Sequence, residues 1–440
     1  MKTVAFHNLG CKVNSYETDI MQQKFTENGF RVVPFGQKAD VFVINTCTVT
    51  NMADRKSRQM LHKARALNPE AVVIATGCYV QTDTENVHND PAVDIIIGNN
   101  NKSRVIEILN NYLEDRENDS TVIDINHTAE YESMMLTDTA ERTRAYIKIQ
   151  DGCNQFCSYC LIPYARGRVR SRDMEDILTE IECLSKKGYK EFVLTGIHVS
   201  SYGITTPNDL SGNRLAELLE KIQKLPDVKR IRLSSLEPRV VTKEFCERIS
   251  KLDKLCPHFH LSLQSGCDET LKRMNRHYTT SQYLEGVKLL REYFDDPAIT
   301  TDVIVGFPGE TDEEFEKSFE FAKTVGFYEM HIFKYSKRRG TVAEKLPNQV
   351  ADQKKDIRSD RMIELSEALS KEFRKRHLSK EADVLFEETK IVQGVKYSLG
   401  YTPEYIKAAV VSKENIENNI RKILLTDFVS DDIIKAVEIK

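Results

Sequence analysis

Residues 151–160, DGCNQFCSYC, place Cys153, Cys157 and Cys160 at the spacing C-x-x-x-C-x-x-C. A closed zinc site takes four ligands and a disulfide takes cysteines in pairs, so a tight trio points to a centre with one position left open. Three more cysteines, Cys11, Cys47 and Cys78, each follow a short apolar run, in TVAFHNLGC, VFVINTC and VVIATGC. A 4Fe-4S cluster held by three thiolates keeps one iron free for a substrate or cofactor, and both trios suit that chemistry. A lone cysteine more often packs as a small hydrophobe, which is the reading for Cys183, Cys246 and Cys256 in or beside helical patterns. Cys267, at a strand end in QSGCDE, is assigned neither role.

The elements around these residues explain how they could meet. Short apolar, largely β-branched runs at 3–6, 41–45, 72–75 and 94–97 alternate with helical patterns such as SYETDIMQQKFTENG. That alternation indicates an α/β domain with a parallel sheet covered on both faces. In such a sheet all strand carboxyl ends lie along one edge, where ligands bind, so Cys11, Cys47 and Cys78 can converge there. A second series follows, with strands expected at 145–149, 191–196, 230–235, 259–264, 299–306 and 330–336 and amphipathic helices between them. Six βα repeats predict a partial, open barrel, because the closed form needs eight. The 153/157/160 trio falls just after its first strand, on the carboxyl-end rim. A charged helix leads into a tail whose alternating pieces, 381–388, 391–402, 405–411, 420–429 and 433–439, predict a small five-stranded barrel of the oligonucleotide-binding kind. The expected division is 1–125 for the first α/β domain, 126–139 for a linker, 140–376 for the partial barrel and 377–440 for the all-β tail.

The chain has 440 residues, too many for one ordinary domain, and a net charge of −4, so no global field attracts a polyanion. Ten cysteines favour a reducing compartment. The first residues lack the pattern of a signal peptide and no apolar run approaches spanning length, so a cytoplasmic protein without membrane attachment is expected.

The cluster loop resembles that of radical S-adenosylmethionine (radical SAM) enzymes. Together with the N-terminal trio, the segments DGCNQFCSYCLIPYARGRVRSR, SSLEP, LSLQSGCDETLKRMNRHYT and VIVGFPGET resemble the methylthiotransferase branch of that superfamily over nearly the whole chain. LGCKVNSYE and NTCTVTNMADRKSRQ are similar to the subgroup acting on carbon 2 of N6-threonylcarbamoyladenosine beside the tRNA anticodon. Relatives acting on isopentenyladenosine or on a ribosomal-protein aspartate differ in the first motif and are the alternatives within this chemistry. A non-catalytic iron–sulfur RNA-binding sensor is the alternative of another class. The resemblance implies two 4Fe-4S clusters. Cys153, Cys157 and Cys160 would hold the one that cleaves SAM to a 5′-deoxyadenosyl radical; Cys11, Cys47 and Cys78 would hold an auxiliary one carrying the sulfur to be methylated. SAM would serve as radical source and methyl donor, with an external electron donor and a sulfur source as partners. GYTPEYIKA makes the tail similar to a TRAM domain, an RNA-binding module.

The resemblance brings Thr195 and Gly196 toward the SAM methionine moiety and the Gly306-Phe307 turn toward its adenine. Glu237 and Gln264, at later strand ends on the same rim, are candidates for SAM polar groups. For a tRNA anticodon stem-loop the phosphate-binding candidates are three basic clusters: Arg166, Arg168 and Arg170, with Arg172; Lys337, Arg338 and Arg339; and Arg374 and Lys375, flanked by Lys371 and Arg376. Without tryptophan, stacking on RNA bases would fall to other rings; Tyr401 and Tyr405 are candidates, with packing inside the tail as the rival role.

Overall fold

The computed structural model describes residues 2–115, 121–128, 130–138, 143–204, 206, 209, 211–412 and 414–439. The first domain is a five-stranded parallel sheet of β1 (Thr3–Asn8), β2 (Arg31–Val33), β3 (Val41–Thr46), β4 (Val72–Gly77) and β5 (Ile95–Ile97), in the order β2-β1-β3-β4-β5. Strand alternation divides its apolar residues between two cores. Ala5, Phe42, Ile44, Val73, Ala75 and Ile96 face one side, and Val4, Phe6, Val41, Val43, Ile74 and Ile95 the other, so both faces are covered. The edge strand β2, three mostly exposed residues, gives no apolar run and was not among the expected strands.

The central domain carries β6 (Arg144–Lys148), a small hairpin of β7 (Gln150–Asp151) and β8 (Arg170–Ser171), then β9 (Glu191–Thr195), β10 (Arg230–Leu233), β11 (His258–His260), β12 (Ala298–Val305) and β13 (Glu329–Lys334). Strands β6, β9 and β10 pair in parallel, as do β11, β12 and β13, and the Leu236↔Leu261 bridge joins the two halves into the expected six-stranded partial barrel. Its outward residues, among them Phe192, Leu194, Ile231, Leu233, Phe259 and Leu261, form one core beneath the surrounding helices. Two of those helices begin with reciprocal capping boxes, Thr279 with Gln282 and Thr311 with Glu314.

The tail closes as a barrel of β14 (Glu381–Val392), β15 (Val395–Tyr401), β16 (Lys407–Val410), β17 (Ile420–Ser430) and β18 (Ile433–Glu438) in the order β14-β15-β16-β18-β17. The piece expected as one strand over 391–402 instead contains a hairpin turn. Gln393 (φ 49°) and Gly394 (φ 80°) both take positive φ, as a type I′ two-residue hairpin turn requires. The tail is fastened to its neighbour: Ala298, Tyr328 and Phe373 share its core, and Arg230 and Arg232 donate to backbone carbonyls of Tyr401, Asp383, Pro403 and Thr402. The linker region is equally engaged, for Met134 and Leu136 are buried in the central core and Tyr16 Oη donates to the Met134 carbonyl. Of the expected linker, residues 129 and 139 lie outside the described residues, as do 140–142 at the start of the next expected domain. Among the described residues no helix is long and apolar enough to cross a membrane.

Candidate cluster and cofactor sites

Cys11, Cys47 and Cys78 follow β1, β3 and β4, three neighbouring strands of one sheet, at their carboxyl ends. Cys11 caps the helix Lys12–Glu27 and Cys78 opens the helix Cys78–Thr82. Glycine precedes both because the chain must pass close to its neighbours. At Gly10 (φ +106°) a Cβ would lie 2.9 Å from Cys47 Sγ, and at Gly77 (φ +103°) it would lie 2.5 Å from the Thr46 carbonyl. Burial pushes the Cys47 thiol up to about 12, with nearby Cys78 and Cys11 adding to it, and burial raises Cys11 as well.

The second trio sits on the loop after β7. Gly152 (φ +73°) is obligatory there, since a Cβ would lie 1.9 Å from the Arg168 carbonyl. The loop is tied down throughout: Cys153 N donates to the Gly167 carbonyl (3.0 Å), Ser158 N to the Met274 carbonyl (3.0 Å), Ser158 Oγ to the Arg273 carbonyl (2.8 Å) and Asn275 Nδ2 to the Phe156 carbonyl (3.0 Å). Arg276 Nη1 donates to Cys157 Sγ at 3.2 Å. Burial lifts Cys153 to about 12 and raises Cys160 further.

The donor set fits a cluster better than a single ion. Thiols raised by burial need a nearby cationic centre to ionise. A zinc ion with Zn–S near 2.3 Å would draw its sulfurs to within roughly 4 Å of one another. Among the described residues only His260, Asp302 and His331 bring all their ligand atoms within 4.8 Å, so both cysteine trios are more widely spaced, as a larger centre requires.

On the rim beside the second trio, Glu237 is buried. Its Oε1 accepts from Arg239 Nε at 2.8 Å, its Oε2 has no partner, and it lies within electrostatic reach of Cys153. An orphaned carboxylate oxygen beside the open cluster loop fits an ammonium such as that of SAM. Gln264 ends the strand region with φ 66°, its backbone bonded to Asp302 and Ile304 on either side. Thr195 is buried, its carbonyl accepting from Ile149 N, and Gly196 lies where a Cβ would come 2.9 Å from Gln150 Oε1. Gly306 (φ +71°) leaves room for Lys355, whose Cγ would be 2.3 Å from an added Cβ. Phe307 is buried with its ring against Tyr159 of the cluster loop (6.3 Å) and Tyr335 (5.4 Å), so it supports the loop from below.

The basic clusters divide sharply. Arg166, Arg170, Arg338 and Arg374 are buried and their bonded nitrogens meet partners inside the protein, although Nε of Arg170, Arg338 and Arg374 has none, and this burial corrects their assignment to RNA phosphates. Arg166 bonds Glu17, Asn14 and Asp151; Arg170 donates to the Arg166 carbonyl; Arg338 grips Thr48, Asn51 and Asp54 of the first domain; Arg374 donates to Ser370 Oγ. Arg172 is likewise buried, paired with Glu180. Arg168, Lys337, Arg339 and Lys375 are exposed, Arg168 resting 4.4 Å over the Phe156 ring. In the tail, Tyr401 and Tyr405 stack on each other at 4.6 Å and lie against Arg144, so their rings are engaged in packing.

Sequence reasoning passed over His198 and Arg276, both inside quoted or neighbouring motifs. His198 presents a buried Nε2 without a partner while Nδ1 meets Ser201 Oγ at 2.6 Å; burial, then Arg276 and Arg239, hold its imidazole down to about 3. Cys246 and Cys256 are buried and Cys183 half-buried, as expected of packing cysteines, and Cys267 is buried with its Sγ donating to Glu269 Oε2 at 2.9 Å.

Comparison with known proteins agrees with this geometry. Residues 147–322 match the radical SAM superfamily and residues 3–98 match the uncharacterized protein family UPF0004. The chain is 41% identical over 425 residues to threonylcarbamoyladenosine tRNA methylthiotransferase MtaB of Bacillus subtilis (strain 168), covering 96% of this chain and 93% of that one. It is 36% identical over 389 residues to tRNA-2-methylthio-N(6)-dimethylallyladenosine synthase of Clostridium botulinum (strain Langeland), covering 86% and 85%. Among solved structures it resembles the radical S-adenosylmethionine methyltransferase TsrM of Kitasatospora setae in fold, with TM-score 0.56, 15% identity and coverage of 76% and 72%.

Proposed function

The chain belongs to the radical SAM tRNA methylthiotransferases of the MtaB kind, and on that premise we propose that it methylthiolates carbon 2 of N6-threonylcarbamoyladenosine beside the tRNA anticodon. We infer a 4Fe-4S cluster on Cys153, Cys157 and Cys160 and a second on Cys11, Cys47 and Cys78. Bound there with SAM, these groups supply hydrogen abstraction from an unactivated carbon, a methyl group and a sulfur carrier, none of which side-chain acid–base chemistry provides.

The chain's own residues do the positioning. Gly152, Ser158 and Asn275 fix the second trio's loop, while Glu237 offers a free carboxylate oxygen to an ammonium beside it. His198 stays neutral at working pH and presents Nε2 as a hydrogen-bonding atom in the same rim. Arg338 and the Asn51–Lys337 contact clasp the segment after Cys47 to the central domain, and Arg166 does the same for Cys78, which holds the two trios at a fixed separation. Exposed Arg168, Lys337, Arg339 and Lys375 give a local phosphate-facing set on a chain of negative net charge, and the tail serves as a TRAM-like RNA-binding module. An external reductant and a sulfur source complete the reaction, which takes place in the cytoplasm.

The observation that carries this reading is the pair of thiol trios on two packed domains, one at the carboxyl ends of parallel strands and one on the loop after β7, in a chain similar to MtaB along almost its entire length. Nucleoside mass spectrometry of tRNA from cells with and without the chain tests it: the methylthio form of N6-threonylcarbamoyladenosine appears only with the chain. Loss of methylthio-dimethylallyladenosine instead would assign the other substrate.

A further inference from the structure

Strands β11, β12 and β13 turn alternate residues to opposite faces. Phe259, Ile299, Val303, Met330 and Ile332 pack into the core beneath the helices. By strand alternation His260, Asp302 and His331 therefore face the concave side of the partial barrel. The parallel register sets Asp302 directly beside His331 and pairs His260 with Thr300, two residues before Asp302. Three side chains able to bind a metal, one from each of three adjacent strands, thus share one spot on the sheet.

Their spacing is that of a ligand set. His260 Nε2 stands 3.4 Å from Asp302 Oδ2, and the His260 and His331 rings are stacked with centroids 5.8 Å apart and planes inclined by 21°. One ring nitrogen from each histidine and one carboxylate oxygen all lie within 4.8 Å of one another. A zinc ion holding nitrogen and oxygen ligands tetrahedrally at about 2.0–2.1 Å sets them about 3.4 Å apart. His260 and Asp302 already hold that separation, and a small turn of the exposed His331 ring closes the set.

The other nitrogen of His260 is fixed from outside, for Nδ1 lies 3.0 Å from Oγ1 of buried Thr300. With Nδ1–H donating to that hydroxyl, Nε2 turns a lone pair toward Asp302; metal-binding histidines are held in one tautomer by outer hydrogen bonds of this kind. Nε2 is buried and makes no hydrogen bond. A lone pair facing a carboxylate oxygen is unfavourable until a cation stands between them. Among the described residues neither the Asp302 carboxylate nor the His331 imidazole has a hydrogen bond, and no lysine or arginine pairs with Asp302. The Asp302 side chain is 29% exposed and His331 is exposed, so the remaining coordination position opens to water.

We propose that His260, Asp302 and His331 form a metal site separate from both cysteine trios, for a divalent transition-metal ion of the zinc type whose fourth position takes water from the hollow. Two imidazoles and a carboxylate suit such an ion, whereas iron–sulfur clusters call for thiolates. The bound ion ties β11, β12 and β13 together where the partial barrel ends at β13.

The test uses the full chain with its clusters reconstituted, given equimolar Zn²⁺ and then desalted. Zinc and iron per chain are measured by elemental mass spectrometry, zinc affinity by competition with a colorimetric chelator, and the zinc ligands by X-ray absorption at the zinc edge, which iron does not mask. Wild type should retain one zinc with nitrogen and oxygen neighbours alone, at about 2.0–2.1 Å. Thr300→Val should weaken zinc affinity by about 10- to 100-fold, as loss of an outer hydrogen bond to a ligand does, and Asp302→Asn and His331→Gln should weaken it by more. His331 is exposed, so its replacement spares the fold, and an unchanged iron content verifies this. Absence of retained zinc in wild type overturns the site and leaves His260 and Asp302 as an ordinary pair. Equal affinity in wild type and His331→Gln overturns it too, as do sulfur neighbours at about 2.3 Å, which place the ion on cysteines. None of these results bears on the methylthiolation reading.

Discussion

Arg166 Nε stands 3.2 Å from Cys78 Sγ, although Arg166 follows the loop bearing Cys153, Cys157 and Cys160 and Cys78 belongs to the other trio. The guanidinium is fully buried and reaches Glu17, Asn14 and Asp151 as well. Lys102 and Lys148 also converge on Glu17. With Arg170 3.8 Å from Asp151, four cations therefore meet two carboxylates, Glu17 and Asp151, and the surplus positive charge points at a sulfur. One side chain thereby ties the two candidate cluster sites together across the domain boundary.

Replacing Arg166 with Ala should strip the first trio of its iron while sparing the second. Iron per chain is expected to fall from about eight toward about four, with SAM cleavage retained. Arg166→Lys keeps the charge but brings three donors on one nitrogen where the planar guanidinium reaches four partners, Cys78, Glu17, Asn14 and Asp151, so an intermediate iron content is expected. Iron analysis with Mössbauer spectroscopy reads both outcomes.

Glu17→Gln should weaken domain docking, because it leaves Arg166, Lys102 and Lys148 buried around a neutral group. Breaking a buried pair of this kind costs about 3–5 kcal/mol. Burial alone would raise the Glu17 carboxyl, but Arg166, Lys102 and Lys148 outweigh it and hold it well below the usual carboxylate range. The stability it contributes is therefore fully present above its ordinary value of about 4.5 and is lost as pH falls through the depressed folded value. Thermal unfolding of wild type and Glu17→Gln from pH 7 downward should show the wild-type advantage shrinking only in acid.

Arg276 donates to Cys157 Sγ from a buried position, and hydrogen bonds to cluster sulfurs help set the reduction potential. Arg276→Gln should shift the potential of the SAM-binding cluster to more negative values and slow reductive SAM cleavage while iron content stays near wild type. A redox titration followed by electron paramagnetic resonance provides the measurement.

Neutralising Lys337, Arg339 and Lys375 together should flatten the fall of log affinity for tRNA with log salt, by roughly 0.7–0.9 for each phosphate that no longer meets a cation. Arg374→Ala, at a buried residue bonded to Ser370, should lower thermal stability and leave that slope alone. Binding at several salt concentrations separates the two.

Where the cysteines fall was legible, because spacing and position after apolar strands are displayed directly in the sequence, and the structure places Cys11, Cys47 and Cys78 at neighbouring strand ends. The six-stranded partial barrel and the five-stranded tail were legible through period and length for the same reason. Which face a basic residue takes was not: Arg166 and Arg168 look alike in GRVRSR-type runs, and only the arrival of Glu17 and Cys78 from another domain buries one of them. The hairpin at Gln393-Gly394 was hidden by apolar residues on both sides of the turn.

The central claim is that one chain divides its chemistry between two cysteine trios. The most direct measurement is a single assay on the Cys11/Cys47/Cys78→Ala variant, reconstituted without oxygen and given dithionite, SAM and a threonylcarbamoyladenosine stem-loop, with 5′-deoxyadenosine and methylthio nucleoside quantified together. The account predicts 5′-deoxyadenosine without methylthio product. Methylthio product from this variant, or no 5′-deoxyadenosine from folded protein that still holds about four irons, would contradict it.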